Sequence, residues 1–200
     1  MKNLIKSLVV AALLLVGGTP LVAAELGKDY KILSTVQPTS GNKIEVLEFF
    51  FYGCSHCFDL HKPLSAWEKT IPGDVELIYV PTIYRESMEP LGRAFFALES
   101  LGQDHQLHDA LYRAMNVDSM TLHDEAAISD FVAKNGVDRA KFSAAYNSFS
   151  MQSKVTRAKQ MIRSYGIAGT PTLVVDGKYL ITGLFPADTI RVLNEVIAMA

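Results

Sequence analysis

Lys43-Ile44-Glu45-Val46-Leu47-Glu48-Phe49-Phe50-Phe51-Tyr52-Gly53-Cys54-Ser55-His56-Cys57 is the stretch on which the fold turns. From Lys43 to Phe51 it is β-branched, aromatic and nearly continuous in apolar content, as befits a central strand covered on both faces. Tyr52-Gly53 breaks the strand. From Ser55 to about Thr70 the apolar residues Phe58, Leu60, Leu64, Trp67 and Ile71 recur at helical spacings. Pro63 inside that helix is expected to kink it, because proline lacks the N–H and crowds the preceding turn. Ile71-Pro72-Gly73-Asp74 reads as a turn and Val75 to Ile83 as a second strand, so the unit is strand, helix, parallel strand.

Outward from that unit, residues 25–42 form an extended lead-in, with Tyr30-Lys31-Ile32-Leu33 a short strand. Residues 87–165 read as helical throughout. Pro90 suits a helix start and Gly102 a helix end. Thr121-Leu122-His123-Asp124 reads as a capping box, Asp138 as the next cap, and Gly166 as the end of a helix running from about Ser150. Gly169-Thr170-Pro171 leads into the strand Thr172-Leu173-Val174-Val175. Asp176-Gly177 signals a type I′ hairpin into Lys178-Tyr179-Leu180-Ile181-Thr182, and Pro186 opens a last amphipathic helix ending near Met199. The fold class is therefore α/β. Residues 25–83 and 151–200 make one core, interrupted by an all-helical insertion at 84–150.

The first residues carry a different message. Lys2 and Lys6 precede an unbroken apolar run from Leu8 to Val16, then Gly17-Gly18-Thr19-Pro20 and Val22-Ala23-Ala24. This is the order of a secretory signal peptide, residues 1–24, with cleavage expected after Ala24. An uncleaved anchor would need the whole stretch from Leu4 to Ala24, which Gly17, Gly18 and Pro20 interrupt. In a Gram-negative cell the destination is the periplasm, where a dithiol does not stay reduced by default.

Composition closes several function classes. The chain has 200 residues, 49% hydrophobic and 20% charged, ordinary values for a globular domain. Its 19 Lys and Arg against 21 Asp and Glu form no basic run, which argues against nucleic-acid binding. Two cysteines cannot build a disulfide framework, yet they lie three positions apart at Cys54 and Cys57.

Cys54 falls between a buried strand and the first turn of a helix. There, unpaired N–H groups and the positive dipole end favour an anion, here the thiolate. His56 can offer an N–H to that sulfur in either protonation state. Cys57, one turn on, is expected to be buried and to react second. Cys54 is then the sulfur exchanged with a partner. A thiolate stabilised in the reduced protein makes the pair a disulfide donor, an oxidant. Other readings of the pair stay open here: a structural disulfide, part of a metal site with His56 or His61, or two inert buried thiols.

The chain resembles the thioredoxin-fold family and, within it, the DsbA-type periplasmic thiol–disulfide oxidoreductases. The matching residues are Val46-Leu47-Glu48-Phe49-Phe50, Cys54-Ser55-His56-Cys57, and Gly169-Thr170-Pro171-Thr172. The long gap from Cys57 to Pro171 matches the helical insertion of the DsbA type. The resemblance implies a thioredoxin-like fold with an inserted all-helical domain and a redox-active Cys54–Cys57 disulfide, with neither cofactor nor metal. It also implies a cis Pro171 that sets the Thr170 backbone beside Cys54 to pair with substrate, and a buried Glu48 that tunes the pair. Ser55 departs from the proline of the best-known members and bears on the redox potential. The implied partners are reduced, unfolded polypeptides and a DsbB-type quinone-linked membrane oxidase, and the expected state is a monomer. The competing functions are a disulfide isomerase or reductase on the same fold, or a non-redox metal-binding or chaperone module.

Remaining residues draw plainer expectations. His105 and His108 read as solvated, and Phe95, Phe96, Leu107, Leu111 and Tyr112 as the core of the helical part. Tyr52 or Phe58 is expected as a surface residue near the motif that helps to hold unfolded chains.

Overall fold

The computed structural model describes residues 23–200, so nearly all of the expected signal peptide lies outside the described residues. Among the described residues five strands, β1 (Lys31–Ile32), β2 (Ile44–Phe50), β3 (Val75–Pro81), β4 (Thr172–Val175) and β5 (Tyr179–Thr182), form one mixed sheet in the order β1-β5-β4-β2-β3. β2 lies inside the sheet and runs parallel to the edge strand β3, from Ile44 opposite Val75 to Phe50 opposite Pro81. On its other side β4 (Thr172–Val175) is antiparallel, with Val46 opposite Val175. β5 (Tyr179–Thr182) follows β4 through a hairpin, and the edge strand β1 is only Lys31–Ile32, shorter than the four residues expected. Asp176 and Gly177 both have positive φ, 50° and 61°, as a type I′ turn requires.

Alternation along β2 sorts its side chains between two helical layers. Val46 packs with Leu60, Leu64 and Trp67 of α1 (Ser55–Glu68) and with Val192, Leu193 and Val196 of α7 (Pro186–Ile197). The two helices are tied where the Trp67 indole N–H donates to Asn194 Oδ1 at 2.8 Å. Leu47 and Phe49 face the other way, onto Ala158 and Ile162 of α6 (Phe149–Ser164) and onto Tyr165 just beyond it. Each fully buried Leu, Val or Ile contributes roughly 1.5–3 kcal/mol, so the layers hold the sheet from both faces. Glu48 belongs by alternation to the α1 face, between Val46 and Phe50. α1 continues through Pro63 to Glu68 as one helix.

Between β3 and β4 come a 3-10 turn at Glu86–Met88 and the helices α2 (Glu89–Ser100), α3 (Asp104–Asn116), α4 (Glu125–Lys134) and α5 (Arg139–Tyr146), followed by α6. The region is not helical throughout. Residues 117–124 leave the helix, with Ser119 at a positive φ of 49°. The expected cap also moves: the N-cap of α4 is Asp124, three residues after Thr121, and its carboxylate accepts the Ala127 N–H at 2.9 Å. Asp138 caps α5 through the Lys141 N–H at 2.8 Å. Pro90 and Gly102 bracket α2, and Gly166 follows α6, as their chemistry requires.

The core of the helical block contains Phe95, Leu107, Leu111 and Tyr112, as the sequence predicts, with Phe96 half-buried at its border with α6. That core runs without a break into Phe50, Tyr52 and Cys57. The block therefore packs directly against the end of β2 from which the two cysteines emerge. Among the described residues no helix is long and apolar enough to cross a membrane.

Candidate active site

The strand β2 ends at Phe50, and the chain then turns sharply. The Cys54 N–H closes the turn on the Phe51 carbonyl at 3.0 Å. A Cβ on Gly53 would lie 2.7 Å from the Phe51 ring, so glycine lets the turn pass that ring. Cys54 is the N-cap of α1, with extended backbone (φ −97°, ψ 116°) and its carbonyl on the Phe58 N–H at 3.0 Å. Among the described residues no oxygen-bearing side chain caps this helix. The Cys54 sulfur sits in that place, where a negative charge meets the unpaired N–H groups of the first turn.

The sulfur is half-exposed, whereas Cys57 is fully buried; both are free thiols. A hydrogen bond from the Cys57 thiol does most to hold Cys54 as the thiolate. Partial burial opposes it, and Thr170 together with the backbone N–H groups of Cys57 and His56 adds to it. The Cys54 pKa falls from 9.0 to about 5. Cys57 shifts the other way, far above the ordinary thiol range, because its proton serves Cys54, it is buried, and the Glu48 charge lies near. One sulfur is thus an accessible anion at neutral pH and its neighbour a protonated, hidden thiol.

The Thr170–Pro171 bond is cis, and in its protonated form the Cys54 thiol donates to the Thr170 carbonyl at 3.3 Å. The loop is pinned from behind, where the Thr172 hydroxyl donates to the Gly169 carbonyl at 2.8 Å and the Thr182 hydroxyl to the Pro171 carbonyl at 3.2 Å. Ser55 and His56 lie exposed on the first turn of α1. His56 acts on the sulfur through its backbone N–H.

Glu48 is 1% exposed, and one of its carboxylate oxygens has no partner among the described residues. Burial first, then the Glu68 carboxylate and the Cys54 sulfur, raise its pKa from 4.5 to about 8. Opposite it in register stands Tyr79, whose hydroxyl donates to Glu68 Oε2 at 3.0 Å.

Two expectations fail here. Tyr52 is not a surface residue: it is 1% exposed, packed edge-on against Phe50 and Tyr112. His108 is not solvated: it is 4% exposed, and its Nδ1 shares a 2.8 Å hydrogen bond with the Tyr52 hydroxyl. The helical block covers both, which local composition could not reveal. His105 is exposed and Phe58 half-buried. Sequence reasoning also passed over Tyr84, whose hydroxyl donates to the Ile167 carbonyl at 3.3 Å, and Asn116, whose amide reaches the Tyr52 carbonyl at 2.7 Å. For α3 a signal existed: His108, Tyr112 and Asn116 recur every fourth residue, on one helix face. Among the described residues no group of three or more His, Cys, Asp or Glu is placed to hold a metal ion.

Comparison with known proteins gives the following likenesses. The model of the DSBA-like thioredoxin domain family matches residues 60–198, starting just past the two cysteines. The thiol:disulfide interchange protein DsbA of Burkholderia cepacia is 36% identical over 184 residues, covering 90% of this chain and 86% of that protein. The protein of the same name from Pseudomonas aeruginosa is 37% identical over 154 residues, covering 76% and 73%. The crystal structure of Pseudomonas aeruginosa DsbA superposes with a TM-score of 0.84 at 33% identity, over 88% of this chain and 94% of that one. The oxidoreductase DsbA from Xylella fastidiosa gives 0.83 at 28% identity, over 89% and 98%.

Proposed function

This chain belongs to the DSBA-like thioredoxin-domain family and is a disulfide-forming thiol:disulfide oxidoreductase, and we propose that Cys54–Cys57 is the disulfide it donates. The observation that carries this reading is the asymmetry of the pair. Cys54 is accessible and held as an anion, and Cys57 is buried and held as a thiol.

In the oxidised protein a substrate thiolate attacks Cys54 Sγ. The Cys54–Cys57 bond breaks, its electron pair goes to Cys57, and Cys57 takes a proton. Glu48, titrating near neutrality beneath the pair, is the group suited to supply that proton. A second substrate thiolate then attacks the substrate sulfur of the mixed disulfide and Cys54 leaves as a thiolate. A low-pKa sulfur is a good leaving group, so the geometry favours release of oxidised substrate. The sum is one disulfide transferred, two substrate thiols oxidised and the protein pair reduced. During the mixed-disulfide stage the Thr170 backbone, beside Pro171, pairs with the substrate chain. His56 and Ser55 on the exposed turn tune the potential.

The same reading takes residues 25–83 and 151–200 as the redox domain and 84–150 as the insert that roofs it. It places the protein in the periplasm, exported by residues 1–24, as a monomer acting on reduced, unfolded polypeptides. A DsbB-type quinone-linked membrane protein reoxidises it.

Thermal unfolding of both redox forms at pH 7 tests the direction of transfer. Stabilising the thiolate stabilises the reduced protein, so the reduced form is expected to melt higher than the oxidised. Equal melting temperatures, or a more stable oxidised form, would point to a reductase or isomerase instead.

A further inference from the structure

The helical block grips one residue of the active-site turn, Tyr52, at both ends. Asn116 is the last residue of α3, and its side-chain amide donates twice. One hydrogen bond goes to the Tyr52 carbonyl at 2.7 Å and the other to the Tyr112 carbonyl at 2.8 Å, in its own helix. Two turns earlier on the same face, His108 holds the Tyr52 hydroxyl at 2.8 Å, and Tyr112 between them packs against the Tyr52 ring at 5.0 Å. Backbone carbonyl and side-chain hydroxyl of one residue are therefore both bonded to a single stripe of α3.

The Tyr52 carbonyl is part of the peptide that joins Tyr52 to Gly53. It lies inside the turn that the Cys54 N–H closes on the Phe51 carbonyl. A glycine on its far side leaves that peptide free to rotate, because glycine tolerates backbone conformations that other residues resist. Within the turn itself, the Phe51–Cys54 hydrogen bond restrains it. Fixing the Tyr52 carbonyl from outside removes that freedom, and with it any drift of Cys54 Sγ away from the N–H groups of His56 and Cys57.

We propose that Asn116, assisted by His108 through the Tyr52 hydroxyl, is a positioning residue for Cys54, so that the helical block sets the redox character of the pair. Neither residue touches the sulfur or a substrate. Both act through the turn. The inference rests on Cys54 being the exchanging sulfur, and the unsubstituted protein tests that premise first: its reduced form must show a thiolate absorbance at 240 nm that titrates well below an ordinary cysteine.

The experiment compares that titration, and the Cys54–Cys57 potential against glutathione, in the full-length protein and in Asn116→Ala and Tyr52→Phe. Asn116→Ala frees the carbonyl and is expected to move the titration up by about one pH unit. The tenfold loss of thiolate stabilisation makes the pair a weaker oxidant by about 30 mV. Tyr52→Phe keeps the ring and the carbonyl contact and is expected to shift both readings in the same direction by a smaller amount. A role confined to folding would lower the melting temperature of both redox forms equally and leave titration and potential where they were. That result in both variants overturns the proposal, as does a titration moved downward. Should Asn116→Ala fail to fold, Asn116→Ser, which shortens the donor, and Tyr52→Phe carry the same two readouts. An ordinary titration in the unsubstituted protein would instead refute the premise.

Discussion

Glu48 concentrates the electrostatic tension of the site in one side chain. A carboxyl under the sheet loses its hydration, and the Glu68 and Cys54 charges add repulsion, so its pKa stands at about 8 against 4.5 unperturbed. A folded-state pKa above the unfolded one means that the native protein holds the proton more tightly. Stability is therefore lost as pH rises from about 4.5 to about 8, and the loss is complete above that. Glu48→Gln removes the titration. The reduced variant is expected to match the parent in urea unfolding at pH 4 and to exceed it by on the order of 2 kcal/mol at pH 8. A constant difference across that range would mean that the carboxyl does not titrate where its burial puts it. The residue types at the site, Cys54, Cys57, Glu48, Thr170 and Pro171, could all be singled out in the sequence. The face on which Glu48 lies could not, because a strand covered on both sides is apolar on both and its alternation does not say which side carries the helix α1.

At the level of elements, the hairpin between β4 and β5 shows how closely a turn can be specified. Gly177 has φ 61°, and a Cβ there would collide with the Gln37 carbonyl oxygen, a backbone atom. Its own carbonyl accepts the Gln37 N–H at 2.9 Å, so the turn and the lead-in segment lock one another. Gly177→Ala combines left-handed strain with that collision and is expected to cost about 2 kcal/mol or more, read from the urea midpoint. An unchanged midpoint would show that the lead-in yields freely. The Asp-Gly pair was legible because its turn chemistry is local. The helix boundaries around residues 117–124 were less so. Leu122 is buried there without any helix to give it periodicity, and Asp124 competes with Thr121 for the cap. The buried Tyr52 and His108 lay hidden for a related reason: polar aromatic side chains look alike in sequence whether a distant helix covers them or not.

For the molecule as a whole, the redox pair couples to global stability through the Cys54 thiolate. With a folded pKa of about 5 against 9.0 unperturbed, the thiolate contributes stability to the reduced form alone. The contribution is full above about pH 9 and shrinks as pH falls, disappearing below about 5. The stability gap between reduced and oxidised protein is therefore expected to narrow steadily from pH 9 to pH 5, as followed by urea unfolding of both forms; a gap that widened toward acid pH would contradict the assignment of the low pKa to Cys54. The sequence by itself determined the order of strands and helices, the dithiol at a helix start and the proline loop far along the chain. These follow from periodicity, turn chemistry and cysteine spacing, which act over a few residues. Only the tertiary structure decided that Thr170 meets Cys54, that Glu48 lies buried beneath the pair, and that α3 grips Tyr52. Each joins segments distant in sequence, and burial and hydrogen bonding between such segments are properties of the packed layers rather than of either segment alone.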